Sequence, residues 1–299
     1  MKKEIEEKLE NVFGVDIDKI HVKLCSEGDV NTSWIARYED QTCFIKEQGQ
    51  NNLPTLYENQ IAREMIGTKL CREQGIPCPD IIACDLQNKF IITEFLPYEM
   101  VGHTWENMGE QQRLEIKTQA LKLVEKMNQI TFDQFGAVYS DGNISQYKEW
   151  TDSYRNIVGI ALADCRNFGS LTQGESDHIM EIVDRNSEEL KQSSTAKAVF
   201  AHLDFHWNNI FWDAQTQQIK GVIDFGSSLS VPEYMGYYRL DGGFLYGTER
   251  FYDKKLTCPI NMLECEVQCA DLLNTLDYFT FLSYKNRDFE WEKKHLLGK

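Results

Sequence analysis

His202-Leu203-Asp204-Phe205-His206-Trp207-Asn208-Asn209 fits the pattern H-x-D-x-x-x-x-N, and Ile223-Asp224-Phe225-Gly226 places a second aspartate 20 residues after Asp204. A carboxylate, an amide and another carboxylate at this spacing suit phosphoryl transfer, in which positioning and charge neutralisation do most of the work. Asp204 would face the nucleophilic hydroxyl and accept or orient its proton. The amide of Asn209 and the carboxylate of Asp224 would face magnesium, which prefers hard oxygen ligands. A purely structural account makes the two aspartates turn formers and Asn209 a cap. The D-F-G that follows an apolar run at a workable distance weighs against it.

For these groups to meet, Asn209 must close a loop before one strand and Asp224 must follow the next. The apolar runs Ala198-Val199-Phe200, Ile210-Phe211-Trp212 and Val222-Ile223 supply such strands. Upstream, Ile5, Leu9, Val12 and Phe13 recur at helical spacing over 2–13. Strands are expected over 20–24, 34–38, 42–46, 81–84 and 90–94, with one helix over 56–74 that ends at Gly75. Beyond Pro97 the pattern turns helical, around 114–127, 147–166, 174–192 and 262–279. A sheet-rich part therefore precedes a helix-rich part, with the boundary near 94–98.

The 299 residues carry a net charge of −16, which makes nucleic acid a poor partner and would steer cationic ligands inward. No run of about 18 apolar residues is present to span a membrane. The charged start Met1-Lys2-Lys3-Glu4 lacks the apolar core of a signal peptide. A cytoplasmic location is expected, with no membrane partner. Nine scattered cysteines without a C-x-x-C pair read as reduced, mostly buried thiols rather than a zinc site.

On these motifs the chain resembles the aminoglycoside phosphotransferases and their relatives, antibiotic and metabolite kinases, from about residue 20 to 280. The resemblance implies an α+β, two-lobed, protein-kinase-like fold. Residues 1–96 would be the nucleotide-binding lobe, an antiparallel sheet with one long helix. Residues 97–299 would be a larger, mainly helical lobe for catalysis and substrate. It implies ATP, or GTP, with magnesium as cofactor and a small hydroxyl-bearing substrate as partner.

Further roles follow from the resemblance. The turn-rich Ser26-Glu27-Gly28-Asp29-Val30-Asn31-Thr32-Ser33 would be the nucleotide loop, with Ser26, Gly28 and Asn31 near phosphate oxygens. Lys46 would meet the α- and β-phosphates. Its ion-pair partner would come from the next helix, with Glu64 at the better spacing and Glu58 as the alternative. Ile92-Thr93-Glu94-Phe95-Leu96-Pro97 would be the hinge, with backbone groups of Glu94 and Leu96 on the adenine edge. Phe135-Gly136 followed by Tyr147 and Trp150 is similar to hygromycin-type kinases, although packing alone also explains these residues.

Two departures bear on substrate. Position 203 is Leu, where many relatives have Gly and protein kinases have Arg. Ser230-Val231-Pro232-Glu233 stands where the family often has an acidic G-D-P segment. A protein kinase is disfavoured because no A-P-E segment lies at a workable distance beyond Gly226. A silent binding module would have no chemical need for Lys46, Asp204, Asn209 and Asp224 together. An amine-bearing acceptor such as an aminoglycoside fits the acidity, with Glu233, Asp241, Glu264, Glu266 and Asp271 as candidate carboxylates. Choline, amino sugars, homoserine, macrolides and intracellular sugars remain open.

Overall fold

The computed structural model describes residues 2–14, 16–27, 30–49, 53–137, 147–193, 196–245 and 251–298. The chain runs α1 (Lys2–Phe13), β1 (Ile20–Glu27), β2 (Asn31–Tyr38), β3 (Gln41–Gln48), α2 (Gln60–Glu73), β4 (Ile81–Asp85) and β5 (Phe90–Glu94). These strands form one antiparallel sheet in the order β1-β2-β3-β5-β4. Strand alternation gives the sheet two buried faces. Cys43 and Ile45 of β3 join Ile92, Trp34 and the α1 residues Ile5 and Leu9 in one core. Lys46 lies on the opposite face, and there it is buried.

The chain continues with β6 (Glu99–Met100), α3 (Val101–Thr104), α4 (Glu110–Met127), β7 (Gly136–Ala137), α5 (Trp150–Asn167), α6 (Gln173–Ser193) and β8 (Ala198–Ala201). Then come β9 (Ile210–Asp213), β10 (Gln218–Val222), β11 (Leu229–Pro232), α7 (Glu233–Leu245), α8 (Glu264–Tyr284) and α9 (Glu290–Leu296). Two small antiparallel sheets, β10-β9-β6 and β7-β11-β8, carry the loops that matter for chemistry. Helices α5, α6 and α8 bury their apolar faces against each other and against β11 and α7. A further core joins Cys71 and Ile76 at the end of α2 to Leu121, Phe200 and Phe225. Apolar burial of this kind, roughly 25 cal/mol per Å², ties the α2 end to the helical region. Among the described residues no helix is long and apolar enough to cross a membrane.

The expected single helix over 56–74 is two elements. A 3-10 turn, Thr55–Tyr57, comes first, and α2 begins at Gln60. The break has a tertiary cause. Asp164 on α5 accepts from the Thr55 backbone N–H at 2.7 Å and its hydroxyl at 2.9 Å, which holds the turn against α5. Helices α3, α7 and α9 and strand β11 were not expected.

Candidate active site

Strand β8 delivers the loop 202–209. Its second residue, Leu203, has φ 58°, a left-handed conformation that glycine takes freely and leucine takes at a cost. That turn carries Asp204 into the cleft. His202 is buried and braces the loop. Its Nε2 lies 2.9 Å from the Ile223 carbonyl, and its Nδ1 accepts the Asp204 N–H at 3.2 Å. Those roles require the neutral ring with the proton on Nε2. Burial pushes the His202 pKa below its ordinary value, in agreement with that tautomer. One imidazole thus links the backbone of Asp204 to the residue before Asp224.

Asn209 donates from Nδ2 to the Asp204 carbonyl at 2.8 Å and to Oδ2 at 3.2 Å. The acceptor oxygen of the same amide then points away from Asp204. His206 Nε2 stands 3.6 Å from Asp204 Oδ1. Burial works to raise the Asp204 carboxyl, but the neighbouring His206 ring and the charge of Arg239 outweigh it. Its pKa lies below the ordinary value. Asp204 is therefore an anion suited to orienting a hydroxyl.

Asp224 also takes a left-handed conformation, φ 66° and ψ 56°. Its N–H donates to Glu64 Oε1 at 3.1 Å, and its Oδ1 accepts from Lys46 Nζ at 2.6 Å. Lys46 also donates to Glu64 Oε2 at 3.0 Å. Burial opposes the Lys46 charge, but Asp224 and Glu64 prevail and hold its pKa above the ordinary value. Glu64 goes up through burial, with Lys46 opposing. Helix α2 reaches Asp224 because residue 67 is Gly: a Cβ there would lie 2.6 Å from Phe225 Cβ. Of the two carboxylates proposed for Lys46, Glu64 is in place. Glu58 instead caps the 3-10 turn, and its carbonyl accepts from Gln48 Nε2 at 3.0 Å. The two glutamates do not share a helix.

Ser26 and Asn31 line a cleft of about 870 Å³, together with Asp204 and Asp224. Asn31 Nδ2 donates to Gln60 Oε1 at 3.0 Å, and its buried Oδ1 has no partner among the described residues. Gly28 lies outside the described residues. Glu94 ends β5, its N–H donating to the Asp80 carbonyl at 2.8 Å. Leu96 packs on Gly221, where an added Cβ would collide with Leu96 Cδ1. Neither Glu94 nor Leu96 lines the 870 Å³ cleft.

The residues present suit magnesium. An amide oxygen and a carboxylate are hard donors, and magnesium is commonly held by one or two such groups plus substrate phosphates. The Asp224 side chain is 39% exposed, open to the cleft even while Lys46 holds one oxygen. The Ile223 N–H donates to the Asn209 carbonyl at 3.1 Å, which keeps the two candidate ligands on adjacent backbone.

The outer part of the cleft is acidic and aromatic. Asp241, Asp271, Asp277 and Glu292 line it with Tyr278, Phe281 and Trp291. Asp241 and Asp271 are thus brought to the cleft, whereas Glu233, Glu264 and Glu266 are not. Motif reading missed Arg239 and Asp277. Arg239 Nε donates to the Leu203 carbonyl at 2.6 Å, and its Nη2 donates to Asp277 Oδ2 at 3.1 Å. This cation supports the strained turn from below. Neither residue falls in a motif, so no sequence signal marks the pair. Trp150 donates from Nε1 to the Tyr234 hydroxyl at 2.8 Å, and its ring centroid is 5.8 Å from that of Phe135, within the core of the helical region.

A family model described as the phosphotransferase enzyme family, APH, matches residues 35–231. A search of the curated proteins finds no match. Among solved structures, a candidate fructosamine-3-kinase from Haemophilus somnus superposes with a TM-score of 0.68 at 17% identity, over 98% of this chain and 95% of that one. A thermostable mutant of aminoglycoside phosphotransferase APH(4)-Ia, in its apo form, gives 0.67 at 13% identity, over 97% and 96%. The ternary complex of streptomycin, ATP and APH(2'')-IIa gives 0.63 at 14% identity, over 100% and 97%. At such identities the likeness is one of fold, and that fold is the two-lobed, protein-kinase-like one. The family match spans well over half of the sequence, and it includes Lys46, Glu64, Asp204, Asn209 and Asp224: the chain belongs to the phosphotransferase enzyme family and is a small-molecule kinase.

Proposed function

We propose that the protein transfers the γ-phosphoryl group of ATP, or of GTP, to a hydroxyl of a small amine-bearing molecule of the aminoglycoside type. The observation that carries this reading is the His202 bridge, which fixes Asp204 and Asp224 in one cleft by bonds of 3.2 and 2.9 Å. Residues 1–96 would bind the nucleotide, and 97–299 would supply catalysis and the acceptor site. Ser26, Gly28 and Asn31 would border the phosphates. With its N–H committed to Asp80, Glu94 would offer its carbonyl to the adenine edge, and Leu96 would offer its N–H.

Asp204 would hold the acceptor hydroxyl in line. The hydroxyl oxygen forms a bond to the γ-phosphorus, the bond from that phosphorus to the bridging oxygen breaks, and ADP carries away the electron pair. The hydroxyl proton passes to Asp204. Because that carboxyl is a weak base, its first contribution is orientation and its proton uptake comes late. Lys46, fixed as a cation, would neutralise phosphate charge. Asn209 and Asp224 would hold magnesium, whose charge offsets that of the phosphates.

The amine follows from the outer cleft. Asp241, Asp271, Asp277 and Glu292 outnumber Arg239 there. A metabolite kinase of choline, amino-sugar or homoserine type is the second reading. Two observations favour it: the likeness to the fructosamine-3-kinase fold at TM-score 0.68, and aromatic rings at Tyr278, Phe281 and Trp291 that suit an ammonium group.

The test is ADP release with ATP and magnesium across aminoglycosides, choline, amino sugars, homoserine and peptides. It is run in parallel on wild type and Asp204→Asn. One small amine-bearing alcohol should stand out, and Asp204→Asn should lose about 10²–10⁴-fold in turnover while remaining folded. A peptide as best acceptor, or near wild-type turnover in the variant, would overturn the assignment.

A further inference from the structure

Helix α2 begins at the large cleft. Its first residue, Gln60, lines that cleft together with Asn31, Asp204 and Asp224. Gln60 and Glu64 stand four residues apart and share one face of the helix. Glu64 is fully engaged, one oxygen accepting from Lys46 Nζ and the other from the Asp224 N–H. Gln60 is engaged on one side only. Its Oε1 accepts from Asn31 Nδ2 at 3.0 Å, which turns Nε2 away from Asn31. Nε2 donates to none of the described residues, and it is not among the polar atoms sealed from solvent. The residue as a whole is 9% exposed, so what it shows to solvent it shows in the cleft it lines.

The surroundings say what meets that amide. A primary amide nitrogen has hydrogens to donate and no lone pair to give, so it selects an oxygen and rejects a metal ion. Helix α2 has no side-chain cap at Asn59 and no acidic residue in its first turn. Its free N–H groups and positive end therefore favour an anion at the cleft. Position chooses the anion. Glu64 holds Lys46 and the Asp224 backbone, and Gln60 lies one turn, about 6 Å, nearer the acceptor wall. Tyr57, three residues earlier, already bonds Asp277 of that wall at 3.1 Å. Gln60 also packs against Gly226, where an added Cβ would lie 3.2 Å from Gln60 Cβ. The amide thus sits between the aspartate that would hold magnesium and the wall that would hold the acceptor.

We propose that Gln60 is a γ-phosphate-binding residue, its Nε2 donating to an oxygen of the phosphoryl group that passes from nucleotide to acceptor. The inference rests on the reading of the large cleft as the nucleotide and acceptor site, and it adds a residue that no motif marks. A neutral donor suits the place. Lys46 and magnesium already supply positive charge, and a further cation would grip the bound phosphate as firmly before transfer as during it. Asn31 fixes the amide from its other side, so the donor is oriented before the nucleotide arrives. ADP has no γ-phosphate, so the contact is made with ATP and is absent from the product. Gln60 therefore discriminates between the two nucleotides.

Two variants of the full chain test it. Gln60→Glu keeps an oxygen for Asn31 and replaces the cleft-facing NH2 with a negative oxygen. An acidic residue at the first helical position suits the helix end, so this variant should fold. Gln60→Leu removes the amide at similar size. Isothermal titration of magnesium-ADP and of magnesium-β,γ-imido-ATP, without acceptor, reads the effect. Affinity for imido-ATP should fall about tenfold in Gln60→Leu, the loss of one hydrogen bond to a charged group, and further in Gln60→Glu. Affinity for ADP should stay within about twofold of wild type in Gln60→Leu. A merely structural role, acting through Asn31, would weaken both nucleotides alike. A ratio of the two affinities unchanged from wild type in either variant would overturn this proposal and leave the reading of the cleft standing. A wild type that binds neither nucleotide would overturn both.

Discussion

The Lys46 ammonium lies 2.6 Å from Asp224 Oδ1, closer than its 3.0 Å to Glu64 Oε2. One cation on the β-sheet therefore ties down both the helix α2 glutamate and the aspartate that follows β10. Lys46 and Glu64 are nearly buried, at 10% and 9% side-chain exposure, so neither charge is screened by water. Removing the lysine leaves Glu64 buried without its counter-charge.

Lys46→Met should accordingly lose about 3 kcal/mol of stability, the usual cost of breaking a buried pair from one side. The loss should depend on pH. Burial holds the folded Glu64 carboxyl above its ordinary 4.5. In the variant, with Lys46 gone, the folded state binds a proton that the unfolded state has released. Its stability is then fullest below 4.5 and declines as pH rises through the folded value. Urea unfolding across pH 4 to 7, in steps of about one unit, reads this slope. A variant as stable as wild type at neutral pH would separate Lys46 from the fold.

His202 has the opposite sign. Its folded pKa is depressed by burial below 6.5, so the unfolded chain takes up a proton first as pH falls. The stability it contributes is complete above 6.5 and is lost below that value, by at most about 1.4 kcal/mol per pH unit. His202→Gln, which keeps a donor for Ile223 and an acceptor for Asp204, should flatten the melting temperature between pH 5 and 6.5. An unchanged slope in the variant would place the acid sensitivity elsewhere.

These residues were legible because their chemistry fixes their spacing. Asp204, Asn209 and Asp224 announce themselves by motif spacing, whereas Lys46 and its Glu64 or Glu58 partner follow only from the family resemblance. Short apolar runs bounded by turns located the strands that carry them. Helix α7 was not legible, because Gly236, Gly242 and Gly243 are poor helix formers. Buried Tyr234, Met235 and Leu240 hold it in tertiary contact instead. Arg239 and Asp277 sit on two helices 38 residues apart and meet only after packing. The false continuity of residues 56–74 has the same origin, since Asp164 acts on Thr55 from 109 residues away.

Leu203 offers a test in which two effects oppose. Glycine at that position would relieve a left-handed backbone, worth about 1 kcal/mol. It would also remove a buried side chain, a change that costs about 2–5 kcal/mol. Packing wins, so Leu203→Gly should be destabilised by about 1–4 kcal/mol, and less than Leu276→Gly, whose side chain is 1% exposed on helix α8. Equal losses in the two variants by urea unfolding would show that φ 58° carries no strain.

The acidic outer cleft makes a kinetic prediction. Asp271 is shared with the Tyr238 hydroxyl at 2.8 Å and His295 at 2.6 Å, and Asp277 is paired with Arg239 at 3.1 Å. Asp241 accepts only backbone N–H groups, from Phe251 at 3.0 Å and Tyr252 at 3.4 Å, so its charge has no cation against it among the described residues. A cationic acceptor should be drawn chiefly by Asp241 and Glu292, on top of the net charge of −16. Raising salt from about 0.05 M to about 0.5 M shortens the reach of those charges to a few ångström. With ATP saturating, kcat/KM for the acceptor should fall several-fold over that range, and Asp241→Asn should show a shallower fall. The slope separates attraction at a distance from contact, because a neutral acceptor recognised only by hydrogen bonds and rings would give a flat profile in both proteins. A flat profile would remove the cationic acceptor and leave the phosphotransferase assignment standing.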